Sequence, residues 1–438
     1  MEKAIICGVG MAVPENEVTN EALCEMFPAL ATSDEWLMKN VGVRKRYLAD
    51  EYQSLSDLLV KAGTEALEQA GVRKVDRIIV GSNSQSRHYP ATASEVAQRL
   101  AATWDLSSCW CLDIQNGCPS GLAAIGLAVD AVKTGQARVV LAMGGDVTSR
   151  MVDWFDRNTC LLMGDGASAV VVACEEEAEG GGVKVDVLSH WEQTDFDSAE
   201  IMHMVSAMGD FSPFEISRRT RDAARRLVRR LTGEERIPPG LPKEKVEELQ
   251  EAADELRRLA FPAFPPLPYR EDRYPYFVMA GGEVLEKIRR IVPDCGYLPA
   301  LREAGIGTDI FEKHGLLEVN KVSDIPAKER KEVLLALAER YDMLIPHQAN
   351  LRGHQNLSAA FRLPMSKIYS NIADYANTSA AAAGIAFYEA LRKPSRYRTI
   401  RGNLEEIEVP PLKAGGKAVL VSFGSGTNVV FAVVERRR

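Results

Sequence analysis

Short apolar runs alternate with longer stretches of helical periodicity along this chain. The apolar runs are rich in β-branched side chains and predict buried strands at residues 78–80, 139–143 and 169–173. Between them, apolar residues recur with helical spacing and predict helices at residues 56–70, 93–103 and 119–133. Gly135 lies just beyond the last of these and is a typical helix stop.

The C-terminal part of the chain repeats this pattern. It predicts a strand at 342–346, a helix at 380–391, and a closing hairpin made of 418–421 and 429–434. Alternating strands and helices favour an α/β protein built in layers. The two parts look like two copies of one unit, although the self-similarity of their sequences is weak.

Composition narrows the class of protein. The chain has 438 residues, 46% of them hydrophobic and 26% charged, and this length suits two domains or one large duplicated domain. Its net charge of −8 disfavours nucleic acid as a partner. No apolar run approaches the roughly 18–20 residues that span a bilayer. Residues 1–8 lack the basic and apolar regions of a signal peptide, so we expect a cytoplasmic protein without a membrane span.

The cysteines and histidines indicate neither a disulfide framework nor a metal site. Most of the eight cysteines lie inside apolar runs, which is typical of small core residues in a reducing compartment. Cys109 and Cys111 are one residue apart, and His347 with His354 matches no usual zinc spacing. We therefore expect no bound metal.

Cys118 is the first candidate for chemistry. It lies where an apolar, strand-like run turns into an Ala-rich helix, and Pro119 suits the first helical position. The positive end of a helix dipole stabilises a thiolate, and a thiolate is a nucleophile. Taken alone, the segment is equally compatible with a buried structural cysteine.

Two other segments favour the catalytic interpretation. His347 directly follows an apolar run, and Asn377 stands at the entry to a second Ala-rich helix, where Asn is also a good N-cap. Singly, each could be structural: a satisfied core histidine and a helix cap. Together, Cys118, His347 and Asn377 form a known set of nucleophile, base and orienting residue.

These segments resemble the β-ketoacyl-ACP synthase III (FabH-type) family of the thiolase superfamily. The sequence Pro-His-Gln-Ala-Asn-Leu-Arg at 346–352 carries the strongest resemblance. Further similar motifs follow in the family's order at residues 32–36, 41–46, 164–167, 279–281 and 423–426. The resemblance implies a thiolase fold with two duplicated halves in five α-β-α-β-α layers, paired as a homodimer. We place the halves at residues 1–180, with the cysteine, and 181–438, with the histidine and asparagine.

The resemblance also implies the reaction. An acyl group from an acyl thioester is loaded on Cys118 and joined to a malonyl thioester by decarboxylative Claisen condensation, as in fatty acid or polyketide synthesis. His347 and Asn377 then donate hydrogen bonds to the enolate oxygen. The backbone N–H groups of Cys118 and Ser425 form the oxyanion hole, and Phe423 gives a dry wall beside the departing carboxylate.

The coenzyme A thioester is thus expected as a substrate, with no cofactor. By resemblance, Trp36 and Arg157 sandwich its adenine, and Arg352 lies near the tunnel mouth. Asn40 stands where many relatives have an arginine, which removes one phosphate contact. Tyr89 falls where relatives place a gate to the acyl pocket, often contributed by the partner subunit.

Two helical insertions depart from the family pattern, at about 211–273 and 294–330. The first combines seven arginines between residues 218 and 230, a mixed-charge helix at 243–259 and a proline-rich stretch at 261–268. The second ends in the charged segment 327–332. The arginine run is either a solvated helix face or a docking surface for an anionic carrier or coenzyme phosphate. A nucleic-acid role is least favoured, because no aromatic residues are interleaved.

Other functions stay open at this point. An acyltransferase of the same family would pass the acyl group from Cys118 to an oxygen or nitrogen nucleophile in secondary metabolism. A non-catalytic partner subunit is less favoured because Cys118, His347 and Asn377 are all present. Acyl carrier protein is expected as a partner of the condensing enzyme.

Overall fold

The computed structural model describes residues 2–85, 87, 89–195, 202–203, 212–233, 241–252, 256, 278–279, 281–400 and 404–438. The strands are β1 (Ile5–Ala12), β2 (Glu17–Thr19), β3 (Lys45–Tyr47), β4 (Arg77–Gly81), β5 (Trp110–Ile114), β6 (Val139–Asp146), β7 (Gly166–Ala173), β8 (Val185–Thr194), β9 (Met202–His203), β10 (Val278–Met279), β11 (Met343–Pro346), β12 (Ser395–Arg398), β13 (Glu406–Val409), β14 (Lys417–Gly424) and β15 (Asn428–Arg436).

The α-helices lie between these strands. They are α1 (Asn20–Met26), α2 (Asp34–Asn40), α3 (Leu55–Ala70), α4 (Thr92–Leu100), α5 (Ser120–Lys133), α6 (Pro213–Thr232), α7 (Lys243–Glu251), α8 (Gly281–Asp294), α9 (Tyr297–Glu303), α10 (Thr308–Lys313), α11 (Ala327–Ala338), α12 (Leu351–Phe361), α13 (Ile372–Tyr375) and α14 (Ala382–Ala390). Short 3₁₀ turns that bear on the site span Pro28–Leu30, Ser379–Ala381 and Ser425–Thr427.

The main sheet has nine strands in the order β11-β14-β15-β8-β1-β7-β6-β4-β5. Strands β8 and β1 are joined through only two residue pairs, Ile5 with Asp186 and Ile6 with Val185. We therefore describe an N-terminal sub-sheet, β1-β7-β6-β4-β5, and a C-terminal sub-sheet, β8-β15-β14-β11.

The two sub-sheets repeat one pairing pattern. In the first, β4 pairs parallel with β6, β6 antiparallel with β7, and β7 antiparallel with β1. In the second, β11 pairs parallel with β14, β14 antiparallel with β15, and β15 antiparallel with β8. The place of β5 is taken in the second by a single parallel bridge between Leu344 and Ile368. The order along the chain is also the same, so the architecture is duplicated.

Helices cover both faces of each sub-sheet. Helices α5 and α14 contact strands of both sub-sheets and form the central layer, while α3 and α4 pack on the outer face of the first and α9 on that of the second. Alternation of side chains along the strands fits this arrangement. In β14, for example, Ala418 and Leu420 join the central apolar cluster, whereas Val419 and Val421 join the outer one. The predicted layered thiolase fold is confirmed.

Most elements lie where the sequence predicts them. Strands β4, β6, β7 and β11, helices α3, α5 and α14 and the closing hairpin β14–β15 are confirmed, with ends shifted by a few residues. The helix predicted at 93–103 ends earlier, at Leu100, because the chain turns there and packs Trp104 into the outer apolar cluster. Strands β7 and β8 fall on either side of residue 180, where we predict the boundary between the halves.

The first insertion adds a small helical layer beside the N-terminal half. Helix α6, predicted from the arginine run, packs on α1 and on the turn Pro28–Leu30, and α7 packs on both α6 and that turn. Helix α7 is described as far as Glu251, so most of the rest of the predicted helix at 243–259 lies outside the described residues, as does the proline-rich stretch at 261–268. In the second insertion, the charged segment 327–332 begins helix α11.

Candidate active site

Cys118 lies four residues beyond β5 and two residues before α5. The preceding Gly117 has φ +66°, a left-handed conformation that glycine adopts without strain. A Cβ at Gly117 would also come within 2.9 Å of the backbone of Ser425. Glycine is therefore required here on two counts, and the tight turn holds the sulfur at the start of the helix.

A second close approach brings the segment 377–381 against the cysteine. A Cβ at Gly121, in the first turn of α5, would meet the carbonyl oxygen of Ala380 at 2.1 Å. The glycine thus lets the backbone of the 3₁₀ turn pack directly on the helix. As a result, the hydroxyl of Ser379 lies 3.6 Å from the Cys118 sulfur. Ser379 itself has φ +51°, which is uncommon for a residue with a side chain.

A polar network supports this contact from the N-terminal half. The Asn83 side-chain NH₂ donates to the Gly117 carbonyl at 3.0 Å and lies 3.4 Å from the Ser379 hydroxyl. It also donates to the fully buried carboxylate of Asp146, at 3.0 Å. Asp146 accepts further hydrogen bonds from the Ala380 N–H and the Ser82 hydroxyl. The network fixes both the turn before Cys118 and the hydroxyl beside it.

Asn377 reaches the same place from the C-terminal half. Its backbone N–H donates to the Leu162 carbonyl and its carbonyl accepts from the Gly164 N–H, so it is held on both sides. Its side-chain Oδ1 accepts from the Ser379 N–H at 2.9 Å. With the oxygen engaged, the amide NH₂ is the end that can donate to a substrate. Cys118, Ser379 and Asn377 therefore form one connected group.

His347 follows directly on β11, and its N–H donates to the Val421 carbonyl at 2.7 Å. Its imidazole is buried and meets the Phe423 ring edge to face, with ring centroids 5.4 Å apart. Its Nδ1 has no hydrogen-bond partner among the described residues. Behind it, the fully buried His354 ring lies 3.2 Å from the His347 carbonyl through Nε2 and 3.1 Å from the Ser370 hydroxyl through Nδ1.

The turn after Phe423 connects His347 to the cysteine. A Cβ at Gly424 would meet the Cys118 N at 2.7 Å, so this backbone is pressed against the nucleophile. The Ser422 hydroxyl donates to the Cys118 carbonyl at 3.3 Å. Ser425 therefore lies beside Gly117 and Cys118, where its N–H and that of Cys118 are expected to act together.

Burial keeps both reactive groups neutral. It raises the pKa of the Cys118 thiol to about 11, a rise that the Ser379 hydrogen bond opposes and the nearby Asp146 charge adds to. Together with a smaller contribution from the proximity of His354, it lowers the pKa of His347 to about 3. The sequence led us to expect a thiolate stabilised by the helix dipole. Desolvation of the sulfur opposes that stabilisation and raises the pKa of the Cys118 thiol above its ordinary value.

Trp36 and Arg157 do come together. The Arg157 guanidinium carbon lies 4.7 Å from the centre of the Trp36 ring. Two groups that sandwich a flat ring must be about 7 Å apart, twice a van der Waals contact. The two side chains therefore stack directly on each other. To bind between them, an adenine would have to displace one of the two.

Arg352 lies at the start of α12 and donates to the Asn40 side chain at 2.5 Å. Asn40, the last residue of α2, thus links that helix to Arg352 in α12. Tyr89 lies on the surface with 84% of its side chain exposed. If Tyr89 gates an acyl pocket as predicted, that pocket would therefore have to belong to another subunit.

Three residues of this site were missed from the sequence. Ser379 stands only two residues after Asn377, and this short distance in sequence could have identified it as a site residue. Asn83 and His354 gave none, because nothing in a polar loop or a helical pattern tells which side chain will face a distant cysteine or histidine. Within the described ranges, no group of three or more metal-ligating side chains lies together, and no helix is long and apolar enough to cross a membrane.

Two family models match this chain. The model of 3-oxoacyl-[acyl-carrier-protein (ACP)] synthase III matches residues 112–189, and the model of its C-terminal region matches residues 337–398. The first range contains Cys118 and the second contains His347 and Asn377. The first insertion lies between the two ranges.

Curated relatives agree with these matches. The chain is 28% identical to a beta-ketoacyl-[acyl-carrier-protein] synthase III from Clostridium perfringens over 99% of this chain and 100% of the relative. It is 35% identical to the enzyme of that name from Ehrlichia canis, over 43% of this chain and 58% of the relative. The alignment with the latter thus spans little more than half of that relative's length.

Solved structures share the fold. A 3-oxoacyl-(acyl carrier protein) synthase III, FabH, from Pseudomonas aeruginosa superposes with a TM-score of 0.65 at 22% identity. The superposition covers 100% of this chain and 99% of that one. The two chains therefore share the fold from end to end.

Proposed function

We propose that the chain is a condensing enzyme of the 3-oxoacyl-(acyl-carrier-protein) synthase III family, the FabH-type branch of the thiolase superfamily. It loads an acyl group on Cys118 and joins that group to a malonyl thioester with loss of CO₂. One observation carries the proposal. Ser379 donates its hydroxyl to the Cys118 sulfur and its backbone N–H to the Asn377 side-chain oxygen, and the turn after Phe423 connects this group to a neutral imidazole.

In the loading step, the Cys118 sulfur attacks the carbonyl carbon of an acyl thioester. The carbonyl oxygen gains negative charge, which the N–H groups of Cys118 and Ser425 stabilise. The new thioester forms as the bond to the coenzyme A sulfur breaks. Because the thiol is protonated at neutral pH, its proton leaves with the departing sulfur, and coenzyme A is released as a thiol.

In the condensation step, the malonyl carboxylate leaves as CO₂ and its electron pair becomes an enolate. His347 and the Asn377 amide donate to the enolate oxygen. A low pKa suits His347 to this role, because the ring stays neutral and donates a hydrogen bond without transferring a proton. The enolate carbon then attacks the acyl carbonyl, the Cys118 sulfur leaves, and it takes up a proton.

Phe423 supports the decarboxylation. Its buried ring packs edge to face against His347 and gives the pocket an apolar wall on that side. A carboxylate beside such a wall has lost hydration, whereas the CO₂ it becomes needs none.

The proposal includes the substrates and the setting. Trp36, Arg157 and Arg352 bind the coenzyme A part of a thioester substrate, no cofactor takes part, and an acyl carrier protein brings the malonyl group. The protein acts as a cytoplasmic homodimer. The exposed Trp110 on the edge strand β5 and the exposed Tyr89 support the pairing, because a second subunit would cover such a surface.

A panel of acyl-CoAs tests the first step. We expect intact-mass spectrometry to detect one acyl group on the protein, mapped to Cys118, and a β-ketoacyl product with CO₂ after a malonyl thioester is added. An acyl adduct that passes to an added amine or alcohol, without CO₂ release, would instead identify an acyltransferase. No adduct from any thioester would contradict both.

A further inference from the structure

Helix α6, in the first insertion, carries its arginines on one side. Its apolar residues Ile216, Ala224, Leu227 and Val228 are buried against the protein. Its seven arginines are all exposed: Arg218, Arg219, Arg221, Arg225, Arg226, Arg229 and Arg230. We call these seven residues the arginine face. The helix is thus amphipathic, with its apolar side already used inside the protein.

The charge of this helix is opposite to that of the whole chain. Seven arginines against Glu215 and Asp222 give residues 213–232 a net charge of +5, whereas the chain carries −8. The arginines run over 12 residue steps, about 18 Å at the helical rise of 1.5 Å per residue. This is much longer than a diphosphate, so the face suits an extended acidic surface better than a single small anion.

Packed side chains on its buried side link helix α6 to the substrate-binding residues of the proposed site. The Ser217 hydroxyl donates to the Met26 carbonyl at 2.9 Å, which ties α6 to the end of α1. The buried side of α6 joins the cluster in which Phe27 stacks on Trp154, with centroids 4.8 Å apart. Three residues after Trp154, Arg157 stacks on Trp36.

We propose that the arginine face is a docking surface for the acidic carrier protein that delivers a thioester to Cys118. The inference rests on the proposed function, since it supplies the partner. A membrane surface is disfavoured because the apolar side of α6 is buried and none of its large hydrophobic residues is exposed among the described ones. Nucleic acid is disfavoured by the net charge of −8 and by the lack of aromatic residues among the arginines.

Such a docking surface mainly changes the rate at which the two proteins associate. Opposite charges on two proteins raise the association rate, and salt reduces the effect because exposed charges are screened. The chemistry at Cys118 is not altered by these arginines. The docking surface should therefore affect only substrates carried by the acidic protein.

The test uses Arg221, Arg225 and Arg226, three central arginines, each replaced by Gln. The matched control replaces Lys61, Arg73 and Lys74, three exposed cations around helix α3, by Gln. Both variants lower the net charge by three. For each protein, kcat/KM is measured with malonyl groups on a purified bacterial acyl carrier protein and on coenzyme A, over a salt series, after acyl-CoA loading.

We expect the α6 variant to lose about tenfold in kcat/KM for the carrier-borne substrate at low salt, and less at high salt. Its kinetics with malonyl-CoA, and both sets of kinetics for the control variant, should match the wild type. Equal carrier kinetics in wild type and α6 variant would overturn the proposal. So would an equal loss with malonyl-CoA, or an equal loss in the control.

Failure of the proposed function is distinguishable from failure of the docking surface. If wild type takes no acyl group on Cys118 from any acyl-CoA, the function is wrong. If loading and condensation proceed but the α6 variant is unaffected, only the docking surface is wrong. Binding of wild type to duplex DNA or anionic vesicles that the α6 variant loses, with unchanged carrier kinetics, would assign the face to that occupant and overturn the proposal.

Discussion

In the two halves of this protein, equivalent strands are followed by different functional side chains. Strand β4 and strand β11 occupy the same place in the two sub-sheets, and they lead to Asn83 and His347. Strand β5 and the bridge at Ile368 are likewise equivalent, and they lead to Cys118 and to the segment of Asn377. One duplicated framework thus presents four loops to one pocket.

The surroundings of these loops differ sharply. Around Cys118 the N-terminal half supplies a dense polar network, with Asn83 and the buried Asp146 at its centre. Around His347 the C-terminal half supplies an apolar wall, and the ring nitrogen Nδ1 has no partner among the described residues. A duplicated fold therefore fixes where the loops meet, while the side chains of each copy decide between a nucleophile and a donor.

The largest expected effect comes from removing the nucleophile. We expect Cys118→Ala to abolish acylation by acyl-CoA, because Cys118 carries the sulfur that lies beside the Ser379 hydroxyl and the turn after Phe423. The fold should persist, since the change removes a single atom. Intact-mass spectrometry after incubation with acyl-CoA checks this. An acyl mass on the variant would show that another cysteine is acylated.

The donors of the C-terminal half should matter in only one step. We expect His347→Ala and Asn377→Ala each to slow decarboxylative condensation by on the order of 10²–10³, as for other oxyanion donors. Acyl transfer to Cys118 should suffer much less. Rapid-mixing measurements of the two half-reactions separate these effects. Comparable losses in both steps, or in neither, would contradict the assignment of His347 and Asn377 to the second step.

The pH dependence of Cys118 alkylation shows whether Cys118 and His347 are a neutral thiol and imidazole or a thiolate–imidazolium ion pair. With the thiol pKa raised to about 11, the rate of alkylation by iodoacetamide should rise tenfold per pH unit from neutral pH toward pH 11. Peptide mass spectrometry at Cys118 measures this rate. A plateau below pH 8 would mean that a thiolate–imidazolium pair forms instead. Because the folded protein disfavours the thiolate, this group also destabilises the fold as pH rises above about 9.

The smallest effect tests the polar network itself. The Ser379 hydroxyl is the group that stabilises negative charge on the sulfur, so Ser379→Ala should slow alkylation of Cys118 by about tenfold at fixed pH. Ser379→Gly is the matched variant, because it also removes the hydroxyl but relaxes the backbone at φ +51°. Equal losses assign the effect to the hydroxyl. A loss in the glycine variant alone would assign it to the backbone.

The local pattern of the sequence was enough for much of the fold. Strands such as β6 and β7 are short, apolar and β-branched, and helix α5 is bounded by Pro119 and Gly135, so neighbouring residues alone predict them. The motifs around Cys118, His347 and Asn377 also predicted these three as candidate site residues, because each stands at the end of a helix or strand.

The tertiary structure decided what surrounds those residues. The contact of Ser379 with Cys118 joins positions 261 residues apart, and that of Asn83 with Ser379 joins positions 296 apart. Such contacts depend on how closely two backbones approach, as Gly121 allows at Ala380. The shifted pKa values of Cys118 and His347 depend on how much water the assembled layers remove. Sequence periodicity reports which face of an element is apolar, but only the packed chain determines which polar side chains from distant elements meet there.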